Sequence, residues 1–129
     1  MSHTFATIDE LGDGYGFRKV RQALGVTAFG VNVVVFPPRY EGFLHYHDAQ
    51  DELYFVHAGT ARVEVDGEDR LLGPGGLLHV ESTTPRKVSN AGDDDLVLLI
   101  VGGQGGYVAR DGHLVDPADA ERRAAFGKR

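Results

Sequence analysis

The stretch HYHDAQDE at residues 45–52 determines our prediction of both the fold and the site. Side chains two residues apart on a strand point to the same face, so His45 and His47 can reach one point in a barrel interior. Glu52 opens the next predicted strand after a short turn, and a hairpin would return its carboxylate beside the two imidazoles. Two imidazoles and one carboxylate with open positions form the facial arrangement used for Fe(II), and the same donors suit Mn, Ni, Cu or Zn. The alternative is that two histidines and an acid lie near a turn by chance.

The sequence around this stretch is typical of short strands joined by tight turns. β-Branched, aromatic and aliphatic residues are concentrated in five short segments, which are residues 29–36, 52–58, 60–65, 77–81 and 96–101. Glycine, proline and aspartate separate these segments, and Asp66-Gly67 after the third is a strong hairpin signal. Short strands at intervals of about 8–12 residues predict an all-β sandwich or a small barrel.

The two ends of the chain differ from this central part. Residues 15–24 predict a short strand or a single helical turn between several glycines. Asp116 followed by Pro117 is typical of an N-cap and a first helical position, which predicts a short helix over residues 118–126 that ends at Gly127 and packs on the barrel. We therefore divide the chain into an N-terminal arm or strand (residues 1–28), a barrel core (residues 29–101) and a C-terminal extension (residues 102–129).

Composition excludes several classes of site and partner. The 129-residue chain has no cysteine, so disulfides, thiolate nucleophiles and Fe–S clusters are excluded, and any metal must be held by nitrogen and oxygen. A formal net charge of −6 without a long basic run gives little support for binding nucleic acid or an anionic membrane. The longest aliphatic run is far too short to span a bilayer and residues 1–13 lack a signal-peptide pattern, so we expect a cytoplasmic protein.

With these residues in place, the chain resembles the cupin superfamily, and in particular its small single-domain members of the type-2 conserved-barrel group. The first cupin motif, a glycine, an H-x-H pair, a glutamate and a second glycine, is matched by Gly42, His45, His47, Glu52 and Gly59, with a shorter gap than usual after the first glycine. The second motif is matched by Gly67, Pro74-Gly75, Pro85 and Asn90. The resemblance covers residues 29–101 and implies a double-stranded β-helix (jelly-roll) barrel whose lumen binds a divalent transition metal or a small molecule.

One position departs from the pattern of most metal-binding cupins, in which a third histidine follows the Thr-Pro of the second motif. Here Arg86 follows Thr84-Pro85, and a guanidinium has no lone pair with which to bind a metal. In one outcome His45, His47 and Glu52 hold the metal alone, and Arg86 pairs with an anionic substrate. In the other outcome Arg86 pairs with Glu52 and no metal binds.

Two further residues are candidates for the site. His79 would replace the missing ligand if its face of the strand is the lumen, and otherwise is an exposed or hydrogen-bonded histidine. Tyr54 shares the parity of Glu52 and is a candidate to line the cavity and donate a hydrogen bond to the ligand, although aromatic residues at this spacing are more often core.

Two functional hypotheses follow. The first is a metal-dependent enzyme that acts on a small anionic molecule, with a dioxygenase-like or isomerase-like reaction implied by the resemblance. The second is a non-catalytic, metal-free ligand-binding or sensor protein that uses the same pocket. Small cupins often pair through sheet edges or exchanged N-terminal strands, so the resemblance also implies a homodimer. In the sequence, residues 29–36 are a candidate for such an edge.

Overall fold

The computed structural model describes residues 2–126, so the predicted helix end at Gly127 lies outside the described residues. Within residues 2–126 the chain forms ten strands, which in chain order are β1 (Gly16–Arg18), β2 (Gly30–Phe36), β3 (His45–His47), β4 (Asp51–Ala58), β5 (Ala61–Val65), β6 (Glu68–Leu72), β7 (Leu77–Val80), β8 (Arg86–Asn90), β9 (Leu96–Gly103) and β10 (Gly112–Leu114). The same residues contain two short α-helices, α1 (Val20–Leu24) and α2 (Ala120–Ala125), and two 3₁₀ turns, Asp9–Leu11 and Pro117–Asp119. No helix among them is long and apolar enough to cross a bilayer.

The strands form two five-stranded antiparallel sheets that enclose a common core. Sheet A has the order β1-β2-β9-β4-β7, and sheet B has the order β10-β3-β8-β5-β6. From β3 onward the chain passes from one sheet to the other at nearly every turn, which is the double-stranded β-helix arrangement. The predicted all-β jelly-roll barrel with a short C-terminal helix is therefore confirmed.

Local sequence explains the β5–β6 hairpin at one edge of sheet B. Asp66 and Gly67 both have positive φ, at 49° and 77°, as a type I′ turn requires. The turn joins β5 to β6 with Val65 opposite Glu68, so the hairpin predicted from Asp66-Gly67 is observed. The outer side chains of this hairpin are mainly charged and exposed, and Arg62 pairs with Asp69 across it.

The barrel interior is closed by alternating apolar side chains from both sheets. The buried core consists of Val34, Tyr54, Val56, Ala61, Val63, Val80, Val88, Leu96 and Leu98. Because side chains alternate along a strand, the inward set on β4 includes positions 52, 54 and 56, and the inward set on β8 includes positions 86 and 88. The core thus occupies one end of the barrel and leaves Glu52 and Arg86 at the other.

Sheet A is apolar on its outer face as well. Val33, Phe55 and Leu99 lie there, and an N-terminal segment that includes Ile8 and Leu11 covers part of this face and leaves an apolar groove beside it. A segment like β2, with three consecutive buried valines, needs cover on both faces. β2 pairs with β9 on one side and with β1 on the other. It is therefore an inner strand, and the prediction that residues 29–36 lie at a sheet edge is wrong.

The predicted elements at the two ends form with altered bounds. Residues 15–24 contain both alternatives, the three-residue strand β1 and the one-turn helix α1. Asp116 caps the amide of Ala118 at 2.9 Å as expected, but a 3₁₀ turn precedes α2, so the regular helix is shorter than residues 118–126. Phe126 packs against Phe36, which places the end of the described chain on the barrel.

Candidate metal centre

The three predicted metal ligands come together where β3 of sheet B passes into β4 of sheet A. His45 and His47 lie on the same face of β3, with ring centroids 5.3 Å apart. The Nε2 atom of His47 lies 3.1 Å from Glu52 Oε1, and Nε2 of His45 lies 3.8 Å from the same oxygen. One ligand atom from each residue lies within 4.8 Å of the other two. The arrangement is a candidate metal site made of two imidazoles and one carboxylate.

Both imidazoles are oriented by an oxygen acceptor at Nδ1. Nδ1 of His45 lies 3.1 Å from the carbonyl oxygen of Phe43, and Nδ1 of His47 lies 2.8 Å from Oδ1 of Asp111. These acceptors assign the proton to Nδ1 in each ring and leave the Nε2 lone pair toward the site. The Nε2 atom of His47 is buried, and although Glu52 Oε1 lies 3.1 Å away, the two atoms are not aligned for a hydrogen bond in the described structure. Metal-binding histidines in proteins typically have this arrangement, so the residues present fit a bound divalent metal.

Glu52 is held as a carboxylate in a mostly buried position. Burial raises its pKa, but contacts with His45, His47 and Tyr54 outweigh that effect and hold the pKa well below its usual range. The Tyr54 hydroxyl donates to Glu52 Oε1 at 2.5 Å. Burial, and then the adjacent Glu52 charge, raise the pKa of Tyr54, so this hydroxyl keeps its proton and acts as a donor. An ionised carboxylate is the form that binds a divalent cation.

The pKa of His47 reflects opposing effects. Burial lowers it, but the close Glu52 carboxylate and the hydrogen bond to Asp111 outweigh burial and the charge of Arg86, so the net pKa is raised. Within the triad, the negative charge of Glu52 thus interacts with the imidazoles of His45 and His47.

Arg86 points into the same end of the lumen. It has the parity of the core residue Val88, lies opposite His45 in the sheet, and is 0% exposed. Its terminal nitrogens donate to the carbonyl oxygens of Glu81 at 3.0 Å and Ser82 at 3.3 Å. Its Nε–H is buried without a partner.

The pairing of Arg86 with Glu52, one of the two outcomes expected from the sequence, does not form. Within residues 2–126 Arg86 makes its hydrogen bonds to backbone carbonyls and forms no salt bridge. The physical reason is that β8 brings Arg86 alongside the 81–82 carbonyls, whereas Glu52 is occupied by Tyr54 and the two histidines. A buried cation without an anionic partner is therefore part of the site.

The two further candidates from the sequence, His79 and Tyr54, do not join the three ligands as additional metal donors. The structure does not bring His79 to the triad, because Leu78 and Val80 take the inward positions of β7 and the His79 side chain is 60% exposed, 3.8 Å from Asp51. Tyr54 is 4% exposed and belongs to the core, while its hydroxyl reaches Glu52. Tyr54 is thus a core residue whose hydroxyl donates to a candidate metal ligand, and its hydrogen bond to a bound molecule stays a prediction.

Sequence reasoning missed Asp111 and the strand that follows it. Asp111 is separated from His47 by 64 positions, and the sequence places it in an extension of glycines and polar residues. β10 pairs with β3 so that Gly112 lies opposite His47. A three-residue strand is too short to show a period-2 pattern, so hydrophobicity offered no signal for it.

Comparison with known proteins agrees with this architecture. A family model described as "Cupin domain" matches residues 32–102. No curated protein matches the chain significantly. A cupin protein from Bacteroides fragilis is 21% identical, with 88% of this chain and 92% of that chain covered and a TM-score of 0.69. At this identity the likeness concerns the fold alone.

Two similar structures carry enzyme names. The DMSP lyase DddQ from Ruegeria pomeroyi DSS-3 is 26% identical over 70% of this chain, with a TM-score of 0.61, and the present chain spans only 44% of that protein. A sugar phosphate isomerase from the cupin superfamily, from Silicibacter pomeroyi DSS-3, is 24% identical over 79% of this chain and 68% of that chain, with a TM-score of 0.65.

Proposed function

Because the chain belongs to the cupin domain family, we propose that it is a metal-dependent cupin that binds a small anionic molecule beside the His45–His47–Glu52 triad. His45, His47 and Glu52 hold a divalent transition metal, and Arg86 binds the anionic group of the ligand. The reaction is of the lyase or isomerase type. The observation that carries the proposal is the convergence of the three donor atoms around the buried, unpartnered Nε2 of His47.

The donor set supports a first-row metal. Two imidazole nitrogens and one carboxylate oxygen suit Fe, Mn, Ni, Cu or Zn, and they leave coordination positions for a ligand. A metal bound there would supply Lewis acidity toward an oxygen of that ligand. Tyr54 donates a hydrogen bond to Oε1 of Glu52, so the carboxylate keeps one orientation toward the imidazoles.

Arg86 supports the anionic nature of the ligand. Its guanidinium is fully buried, uses two of its five N–H groups on carbonyl oxygens, and has an orphan Nε–H. Burying an unpaired cation costs several kcal/mol, and a carboxylate or phosphate would offset this cost with charge-assisted hydrogen bonds. Arg86 therefore orients the ligand by its charged end.

The reaction class is supported by the structural neighbours that carry enzyme names, a lyase and an isomerase. Both reaction types rearrange bonds in one substrate without an external oxidant. We therefore favour a lyase or isomerase.

Elemental analysis of the purified, untagged protein tests the metal site. We expect about one first-row metal per chain in the wild type and none in a His45→Ala/His47→Ala double variant. A His57→Ala variant is the matched control, because His57 lies on the outer face of β4 beside the apolar groove. Metal-free wild-type protein after reconstitution with each candidate metal would refute the metal-dependent proposal.

A second candidate function rests on the buried cation. Arg86 lies opposite His45 and its positive charge acts on His47, which favours a metal-free cupin that captures an anion through Arg86 alone. Titration of the cobalt-loaded protein with acetate and with inorganic phosphate separates the two. Our first proposal predicts that the anion changes the visible Co(II) bands and that Arg86→Met weakens this change. The second predicts that chelator-treated protein binds the anion with an affinity that added metal leaves unchanged.

A further inference from the structure

Asp111 makes an unusual number of contacts for a residue in a C-terminal extension. Its Oδ1 accepts from Nδ1 of His47 at 2.8 Å and from the amide of the Gln50 side chain at 2.7 Å. Its Oδ2 accepts from the backbone N–H of Ala49 at 2.7 Å and of Gln50 at 3.1 Å. The side chain is only 11% exposed. Asp111 therefore joins a candidate metal ligand to the loop between β3 and β4.

All four groups that face the Asp111 carboxylate are donors. An ionised carboxylate is acceptor-only, so it can satisfy all of them at once. An asparagine has the same shape, but its NH₂ group would face two donors on one side or the other. The Gln50 amide nitrogen also lies 3.3 Å from Nδ1 of His47, but as a donor it cannot receive the Nδ1 proton. Asp111 is the acceptor for that proton.

The pairing of the strands also connects the Asp111 segment to His47. β3 carries two of the three ligands, but it pairs with β8 only at His45 opposite Arg86. It pairs with β10 at three positions, directly after Asp111. Gly112 packs on the His47 ring so closely that an added Cβ would lie 3.1 Å from Cε1. The segment 111–114 therefore packs directly on the His47 ring.

We infer that Asp111 is a positioning residue of the metal centre, which fixes the His47 ring and its Nδ1–H tautomer and ties them to the 48–50 loop that leads to Glu52. This inference rests on the proposed metal-binding function. The residue that orients the centre thus comes from the C-terminal extension rather than from the barrel core.

The test compares metal affinity in matched variants. The probe is Co²⁺, followed by its visible absorption in competition with a chelator of known affinity. Asp111→Asn should weaken binding by about 10–100-fold, as is usual for the outer partners of metal ligands. Two controls come from the neighbouring pair His113 and Asp48, whose side chains contact each other at 2.7 Å and contact none of the three ligands. His113→Ala and Asp48→Asn should stay within about threefold of the wild type.

A second measurement reports orientation without relying on activity. Long-range ¹⁵N–¹H NMR correlations of the imidazoles identify the protonated nitrogen of His47 in the metal-free protein. The wild type should carry the proton on Nδ1, and Asp111→Asn should show a mixture of tautomers or the Nε2–H form. If Asp111→Asn does not fold, the wild-type spectrum decides. A ring protonated on Nε2 alone would overturn the inference, and a proton on Nδ1, with or without a second proton on Nε2, would support it.

The outcomes separate this inference from the proposed function. A wild type that binds no Co²⁺ would overturn the proposed function and the inference with it. A wild type that binds Co²⁺ while Asp111→Asn binds within threefold of it would overturn the inference alone. Equal losses in Asp111→Asn and in both controls would also overturn it, because the extension would then act as a whole and not through the carboxylate.

Discussion

Arg86→Met should stabilise the metal-free protein while it removes anion binding. Arg86 is fully buried, and the two carbonyl oxygens that accept its hydrogen bonds each have a second donor. Ser82 O accepts from the backbone N–H of His47 at 2.8 Å, and Glu81 O accepts from that of Thr84 at 3.2 Å. Removing the guanidinium therefore leaves neither carbonyl orphaned.

The magnitude follows from two opposing contributions. Two hydrogen bonds from a charged donor, one of them long at 3.3 Å, contribute about 3 kcal/mol together. The effective penalty for burying an unpaired ion is several kcal/mol, which we take as about 5 kcal/mol. The net effect is about 2 kcal/mol in favour of Arg86→Met. For a chain of this length that corresponds to a rise in Tm of about 7 °C.

The assay is thermal unfolding of chelator-treated protein, followed by circular dichroism in a buffer without phosphate or carboxylate. Arg86→Lys is the control, because it keeps a buried charge and should melt at or below the wild-type temperature. Added phosphate should raise the Tm of the wild type and leave Arg86→Met unchanged, since only a chain that binds the anion gains stability from it. A Tm for Arg86→Met at or below that of the wild type would refute the view that the guanidinium is an uncompensated charge.

The other predictions concern the framework of the site. Gly42→Ala should destabilise the fold by at least about 2 kcal/mol in urea unfolding, because its Cβ would lie 1.9 Å from the backbone oxygen of Val88; an unchanged midpoint would contradict this close approach. Asn90→Ala should cost about 3 kcal/mol, since its buried Nδ2 shares two hydrogens among three backbone carbonyl oxygens and its Oδ1 accepts from the backbone N–H of Gly92. A loss under 1 kcal/mol would show that water replaces these hydrogen bonds. Tyr54→Phe should lose about 2 kcal/mol with no change in near-ultraviolet signals from other aromatics, because only the hydroxyl that contacts Glu52 is removed; wild-type stability would exclude that hydrogen bond.

The central part of this fold follows from local sequence. Alternation and turn chemistry were sufficient for β4, β5 and the hairpin at Asp66-Gly67, because each depends on residues close in sequence. The triad follows for the same reason, since His45, His47 and Glu52 lie on one strand and the start of the next. Local spacing thus predicts which donor atoms converge.

The environment of the triad could not be predicted, because it depends on pairing between distant segments. Asp111 reaches His47 only because β10 pairs with β3, and three residues carry no periodic signal. The partners of Arg86 are backbone carbonyls, whose positions a sequence pattern does not specify. The orientation of His79 was ambiguous because Leu77 and Leu78 are both apolar, so either face of β7 was a candidate for the interior.

The unequal faces of the two sheets determine how the chain tolerates mutation. β2 and β9 carry no charged residue, and both faces of sheet A are covered in part, so a charge introduced at either parity enters an apolar environment. β5 alternates buried Ala61 and Val63 with exposed positions, so only every second substitution meets the core. In a saturation mutagenesis scan, charged substitutions should therefore destabilise the fold at every position of β2 and β9, but only at alternate positions of β5.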